Sequence, residues 1–394
     1  MNICFISAGQ FNATQGGIDR VCSQLVECFR KRGHVVLCCY LWESCAQVHD
    51  QELQFQFPDT EDAASERNAL YLNDLLVRYK VDIICNHSFL IAQHDVCVAA
   101  KKGTSAKLLY TLHSDPNVAL RDILDNQEKH LALGYSITSL WRFTYSLLKS
   151  PASYYLRHVH TKKRFRKLYD GSDQCVMLSH AAAESFARFA NVQKPQKLSV
   201  IPNPTPFHVN LNSEVVRKKQ VLFVGRLVWQ KRVDRLLKVW KDLEKDFPEW
   251  TLVIVGDGPD KELYEKIAQS LSLKNVSFVG SQSSESYYRA SKILCLTSSS
   301  EGFPMVLIEA QQYGCIPFAY NSFPALADII ENGVTGFAVT PFSRKEYVAK
   351  CRALLQDDAK CEYMSRRAAT SGSAFSIESV GSLWEELFTK LLRK

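Results

Sequence analysis

Glu301 and Glu309 lie in the stretch Ser300-Glu301-Gly302-Phe303-Pro304-Met305-Val306-Leu307-Ile308-Glu309, with seven residues between them. Gly302 and Pro304 set a tight loop, and Pro304 suits the first turn of a helix whose apolar residues are Val306, Leu307 and Ile308. One carboxylate then stands on a loop at a helix N-terminus and the other stands one turn inside the helix. Between them are free backbone N–H groups and the positive end of the helix dipole, which favour an anion. Carboxylates on either side of that anion can accept hydrogen bonds from neutral hydroxyls. A nucleotide sugar has this pattern: sugar hydroxyls, a diphosphate, ribose hydroxyls. An isolated glutamate is more often a solvated surface charge, but here the loop and the spacing argue for a site.

Upstream, Val221-Leu222-Phe223-Val224-Gly225-Arg226-Leu227 reads as a buried strand running into a loop, and Lys231 follows. Two cations at the C-terminal end of a strand stand where open α/β sheets bind ligands. Arg offers phosphate a bidentate fork and Lys a point charge. When a sugar leaves a diphosphate, negative charge grows on the leaving group, and preorganised cations stabilise it most in the transition state. The chain has no Asp-x-Asp to hold a divalent metal for this purpose. Arg226 and Lys231 are therefore expected to replace the metal, with no cofactor beyond the nucleotide-sugar substrate. Taken together, Gly-Arg-Leu-x-x-x-Lys and Glu-x7-Glu resemble the retaining nucleotide-sugar glycosyltransferases of family 4, of the bacterial surface-polysaccharide type, over nearly the whole chain.

That resemblance implies the GT-B fold, two Rossmann-like domains facing across a cleft that holds the active site. It implies that Glu309 holds the ribose hydroxyls and that Glu301 contacts the donor sugar. The amides of Phe303, Met305 and Val306 would line the sugar-phosphate. Gly16 and Gly17 match the family's first-domain glycine loop, and their place between strand and helix lets a backbone approach phosphate closely. His113, at the end of a strand, matches a histidine near the donor sugar's 6-hydroxyl, although a lone histidine is often structural. Val279 and Gly280 end a strand where the family packs the nucleotide base. Asn86, His87 and Ser88 are weaker acceptor-side candidates.

The elements that must position these residues repeat one plan. Strand Asn2–Ala8, the Gly16-Gly17 loop, a helix from about Ile18 to Arg32 and strand Val35–Leu41 open the chain. Near residue 220 the order restarts, with strand Gln220–Gly225, a loop with Lys231, a helix from Val233 to about Phe247 and strand Thr251–Gly256. Such repetition indicates two doubly wound α/β domains. We expect residues 1–203 as the acceptor-side domain and 204–375 as the nucleotide-sugar domain, with the polar tract from Ile201 to Lys219 as linker. By the resemblance, the final helix, within 376–394, returns to the first domain.

Composition supports this organisation. A chain of 394 residues is too long for a single core. At 46% hydrophobic and 23% charged it is an ordinary globule. Its thirteen cysteines form no Cys-x-x-Cys and many sit in apolar strands, which indicates reduced core thiols in a reducing compartment and no zinc site. Met1–Gly9 lacks a basic n-region and reads as a strand rather than a signal peptide. No run is long and apolar enough to span a bilayer. A cytoplasmic protein is expected.

The insertion spanning 134–170 stands apart. Aromatic residues Tyr135, Trp141, Phe143, Tyr145, Tyr154 and Tyr155 precede Arg157–Lys167, which holds six Lys/Arg and no acid. A solvated helical charge run is the plain reading. The sharper one is an anionic membrane surface as partner, at the inner face of the plasma membrane. Nucleic acid is not expected, because no nucleic-acid motif accompanies the net charge of +7.

The expected function is transfer of a hexose or N-acetylhexosamine from a nucleoside diphosphate, UDP by the resemblance, to a hydroxyl of a polyprenyl-diphosphate-linked oligosaccharide or related glycan. Two readings stay open: a GT-B UDP-sugar epimerase, and a non-catalytic nucleotide-sugar or glycolipid-binding subunit. The intact set Arg226, Lys231, Glu301 and Glu309 argues against the latter.

Overall fold

The alternation of strand and helix is realised as two parallel sheets in a computed structural model. The structure describes residues 1–12, 17–43, 53–117, 137–193, 195–205, 207 and 217–393, with the backbone alone for 137–152. The first sheet comprises β1 (Asn2–Gly9), β2 (Val35–Trp42), β3 (Gln54–Gln56), β4 (Ile83–Asn86), β5 (Lys107–Leu112), β6 (Gln174–Met177) and β7 (Leu198–Val200). Helices α1 (Gly17–Lys31), α2 (Glu66–Arg78), α3 (Ile91–Ala100), α4 (Ile137–Gly171) and α5 (His180–Phe189) accompany it. Its strand order is β3-β2-β1-β4-β5-β6-β7.

The second sheet contains β8 (Gln220–Val224), β9 (Thr251–Val255), β10 (Val276–Gly280), β11 (Ile293–Leu296), β12 (Ile316–Tyr320) and β13 (Phe337–Val339), in the order β10-β9-β8-β11-β12-β13. With it go α6 (Val233–Leu243), α7 (Lys261–Ser270), α8 (Glu285–Ala290), α9 (Met305–Gln312), α10 (Leu326–Ile329), α11 (Arg344–Leu355) and α12 (Asp358–Gly372); α13 (Ile377–Leu392) comes last. Strands flanked by helices on both faces must be apolar throughout, and β1 and β8 are buried along almost their whole length. Helix α1 turns Val21, Cys22, Leu25, Val26 and Phe29 inward at helical spacing and is closed by Gly33 at φ +82°.

Contacts divide the chain into two compact units. One is Met1–Pro116, Arg157–Pro206 and Ser376–Lys394; the other is Asn117–Leu156 and Phe207–Phe375. Within the first unit α13 packs on α1, with Phe388 5.6 Å from Phe29 and Glu385 accepting from Arg32 Nη1 at 2.5 Å. Each sheet reverses its winding about one strand, β1 in the first and β8 in the second. Ligands of doubly wound sheets bind beyond the carboxyl ends of the strands at that reversal.

Several details depart from the sequence reading. The helix after Lys231 stops at Leu243 rather than near Phe247, and the helix that the sequence suggests around Ala63–Tyr79 begins at Glu66, where Ser65 accepts from the Asn68 amide. The short elements β3, α8, α10 and β13 carry too few residues to show a period. Among the described residues the cysteines are free and all but Cys28 are buried. No described helix is long and apolar enough to cross a membrane.

Candidate active site

The loops after β8 and β11 meet at the switch point of the second sheet. Gly225 N–H donates to Val255 O at 3.0 Å and Leu227 N–H to Asp257 O at 2.8 Å, pinning the loop after β8 to the one after β9. The approach requires glycine: a Cβ on Gly256, at φ +137°, would stand 2.0 Å from Gly225 O. Between these anchors Arg226 is exposed and carries no ion pair among the described residues. Its guanidinium is open to an anion.

Lys231 closes a 3-10 turn, Trp229–Lys231, and is followed by Arg232 in the left-handed region at φ +50°. That uncommon backbone is held from several sides. The buried Arg232 guanidinium donates to Asp234 Oδ1 at 3.0 Å and lies 4.5 Å over the Trp229 ring, and Thr297 Oγ1 donates to Arg232 O at 2.9 Å. Lys231 Nζ then reaches Glu301 Oε1 at 2.6 Å. Ser298 Oγ donates to the same oxygen, also at 2.6 Å. The sequence put Lys231 and Glu301 in one site as separate contacts; the structure joins them.

Helix α9 begins at Met305, so Pro304 is its N-cap, at φ −74° and ψ 96°, one position before the first-turn place expected. Proline has no side chain to cap the first turn, which leaves the amides of Met305 and Val306 among the helix's unsatisfied donors. The Phe303 side chain is buried, 6.1 Å from Phe375, while Gly302 is partly exposed beside it. Glu309 lies one turn into α9 at 2% exposure, and Tyr288 on α8 donates its hydroxyl to Glu309 Oε2 at 2.7 Å. Burial, with the Glu309 carboxylate beside it, raises the Tyr288 pKa well above its usual value, so Tyr288 stays a donor. No sequence signal pointed to Tyr288, because α8 is too short to reveal its inward face. Val279 and Gly280 end β10, where Gly280 O accepts from the Gly256 amide at 2.8 Å.

In the first unit His113 follows β5, and its Nε2 lies 2.9 Å from His87 Nδ1. Burial lowers the His113 pKa from 6.5 to about 4 and that of His87 well below 6.5, the latter with help from His113. Both imidazoles are neutral near pH 7. Gly17 is the first residue of α1, and a Cβ there would meet nothing within 4 Å, so the fold itself does not demand glycine. Gly16 lies outside the described residues.

Residues 15–207 match the model described as Glycosyltransferase Family 4, and residues 209–371 that described as Glycosyl transferases group 1. The amylovoran biosynthesis glycosyltransferase AmsD of Erwinia amylovora is 34% identical over 196 residues, 48% of this chain and 55% of that one. The chain thus spans about half the length of that relative. A Campylobacter jejuni alpha-1,4-N-acetyl-D-galactosaminyltransferase, named for a GalNAc- and diNAcBac-containing PP-undecaprenol, is 24% identical over 404 residues, 99% of each chain. The crystal structure of Anabaena HepE in complex with UDP has a TM-score of 0.71 at 17% identity, over 99% of this chain and 100% of that one. With both halves matched and two parallel-sheet domains of this topology, the chain belongs to the family 4 and group 1 glycosyltransferases of the GT-B fold.

Proposed function

We propose that the protein is a retaining, metal-independent glycosyltransferase. It moves a hexose or N-acetylhexosamine from UDP to a hydroxyl of a polyprenyl-diphosphate-linked oligosaccharide during assembly of a bacterial surface polysaccharide. The observation that carries this reading is the Lys231–Glu301 pair at the switch point of the second sheet, with Arg226 open beside it. The cation and the hydroxyl acceptor that a sugar diphosphate needs stand in contact in one place, the kind of fixed charge arrangement that stabilises a developing anion. The UDP complex of HepE and the undecaprenol-linked substrate in the Campylobacter name supply the donor and acceptor classes.

In the proposed reaction the bond from the anomeric carbon to the diphosphate oxygen breaks heterolytically, and its electron pair stays on the diphosphate. Lys231, Arg226 and the first-turn amides of α9 stabilise that charge. Glu301 takes donor-sugar hydroxyls at Oε2, because both of its protein hydrogen bonds fall on Oε1. Glu309 takes the ribose hydroxyls, and His113 a hydroxyl of the donor sugar. The acceptor oxygen bonds to the anomeric carbon on the face the diphosphate leaves, and its proton passes to a phosphate oxygen. No protein nucleophile takes part, unlike the carboxylate pair of glycosidases.

Incubation with a panel of radiolabelled nucleotide sugars, with and without membrane extract, tests the proposal. Label in lipid-linked product supports it, and proton NMR of the released glycan reads whether the anomeric configuration is kept. Free altered sugar would instead identify an epimerase. Binding without turnover would identify an inert subunit.

A further inference from the structure

His87 follows β4 and His113 follows β5, neighbouring parallel strands whose register pairs Asn86 with Tyr110. Their rings lie 5.1 Å apart, centre to centre, and share the 2.9 Å contact between His87 Nδ1 and His113 Nε2. The His87 ring is clamped. It stacks on Phe5 at 5.2 Å and 16°, and Trp384 of α13 flanks it at 5.7 Å and 45°. His87 is 1% exposed, and the outer nitrogens of the pair, His87 Nε2 and His113 Nδ1, are buried without a hydrogen-bond partner among the described residues.

A bond between two imidazole nitrogens contains one hydrogen. If His113 Nε2 carries it, His87 Nδ1 is the acceptor and His87 bears its own hydrogen on Nε2. If His87 Nδ1 carries it, His113 Nε2 is the acceptor and His113 bears its hydrogen on Nδ1. Two neutral rings joined in this way must hold the same tautomer, so the state of His113 Nδ1 is tied to His87. We propose that His87 is a positioning residue: clamped by Phe5 and Trp384, it fixes the orientation and tautomer in which His113 presents Nδ1 to a hydroxyl of the donor sugar. A hydroxyl fits because it can donate or accept and so completes either state. A phosphate would meet no cation in this pair. Helix α13, through Trp384, then helps to hold His87 in place. The inference rests on the sugar-contact role proposed for His113.

The test uses the full-length protein with the donor found active in the nucleotide-sugar panel. His113→Ala should lower kcat/KM for the nucleotide sugar. His87→Leu should lower it by roughly tenfold or more, the effect of a lost buried hydrogen bond, with affinity for free UDP unchanged. His87→Asn, which keeps an amide near the Nδ1 position, should recover most of that loss. The double variant His87→Leu/His113→Ala should be no worse than His113→Ala alone, because His87 acts through His113. Histidine-selective 15N NMR of the wild type should show one tautomer shared by both rings, a readout that does not depend on how well a variant folds. Additive losses in the double variant, no recovery in His87→Asn, or opposite tautomers would each overturn the inference. Wild-type kcat/KM in His113→Ala would instead refute the role of His113, and the inference with it.

Discussion

Lys231 and Glu301 form a 2.6 Å ion pair whose side chains keep only 19% and 10% of their exposure. A pair so withdrawn from water is sensitive to removal of either partner, because the survivor is left as an uncompensated charge. The two losses should nevertheless differ in kind. Lys231→Ala removes a cation from the diphosphate, and both UDP affinity and kcat should fall. Glu301→Ala should leave UDP affinity nearly unchanged and lower kcat, because its partner is the sugar that UDP lacks. Calorimetry with UDP alongside steady-state kinetics separates the two. Weakened UDP binding in Glu301→Ala with unchanged kcat would mean that its role has been exchanged with that of Glu309.

Glu309 is expected to act on binding instead, since ribose hydroxyls are present in donor and product alike. Loss of a hydrogen bond to a charged group costs on the order of 1.5–3 kcal/mol, so Glu309→Ala should weaken UDP roughly ten- to a hundredfold. Tyr288 donates to Oε2 of that carboxylate at 2.7 Å. Tyr288→Phe should therefore weaken UDP in the same direction by a smaller factor, with kcat little changed. Wild-type affinity in Tyr288→Phe would show that the carboxylate keeps its place without the phenol.

The sequence revealed what is encoded locally and missed what depends on strand register. The strand-loop-helix frames around Arg226 and Glu309 each lie within a few residues, and apolar runs and Gly/Pro punctuation mark them. The contact between His87 and His113 does not. It requires β4 and β5 to be neighbours in a given register, and nothing within either segment states that. Tyr288 was hidden because its helix, of six residues, is too short to show an inward face, and the left-handed Arg232 because an ordinary arginine there takes the conformation usually left to glycine. The basic insertion was legible as charge, but which of its charges face water follows from the packing of α4.

Acid should destabilise the first unit through histidines buried in neutral form. Burial lowers the His94 pKa from 6.5 to about 4, against the pull of Asp95, and neither of its ring nitrogens has a partner among the described residues. A depressed folded pKa means that the denatured chain binds protons below about pH 6.5 that the native state refuses until about pH 4. Stability from His94 and His113 is thus complete above that window and lost as pH falls through it. Melting temperature should drop between pH 7 and 5. His94→Leu, which replaces an unpartnered polar ring with an apolar side chain, should flatten the dependence. An unchanged slope in that variant would exclude His94 as a contributor.

Metal independence is open to a direct trial. With Arg226 and Lys231 supplying the positive charge, transfer should survive millimolar EDTA, and added Mg²⁺ or Mn²⁺ should do little. Loss of activity on chelation, with recovery on adding metal, would remove the role given to the two cations.

The basic face of α4 bears on membrane attachment, and its charges are not equivalent. Arg164 turns inward, where it donates to Phe89 O at 3.0 Å. Arg166 pairs with Asp170 and Lys167 with Asp95, at 2.8 and 2.7 Å. Lys162 and Lys163 are exposed without an ion pair among the described residues, and Tyr154, Tyr155 and Leu156 are exposed a short way back along the same helix. If this face meets anionic lipid, at ~1 kcal/mol for each basic residue near the surface, the two free lysines should carry most of the attraction. Lys162→Gln/Lys163→Gln should then release the protein from acidic vesicles nearly as well as replacing all five of Lys162, Lys163, Arg164, Arg166 and Lys167. UDP binding should be untouched, since Arg226, Lys231 and Glu309, to which the proposal gives the charged UDP contacts, lie in the second unit. Arg164→Gln alone should lower stability more than vesicle binding, because it removes a contact that ties α4 to the loop after β4. Salt should weaken the wild-type association, as exposed charges are screened over a Debye length of ~8 Å at physiological ionic strength. Vesicle co-sedimentation at low and high salt reads all of these. If the wild type fails to sediment with anionic vesicles at low salt, or the double lysine variant sediments equally well, α4 is a solvated helix and the proposed lipid-linked acceptor would have to be reached without it.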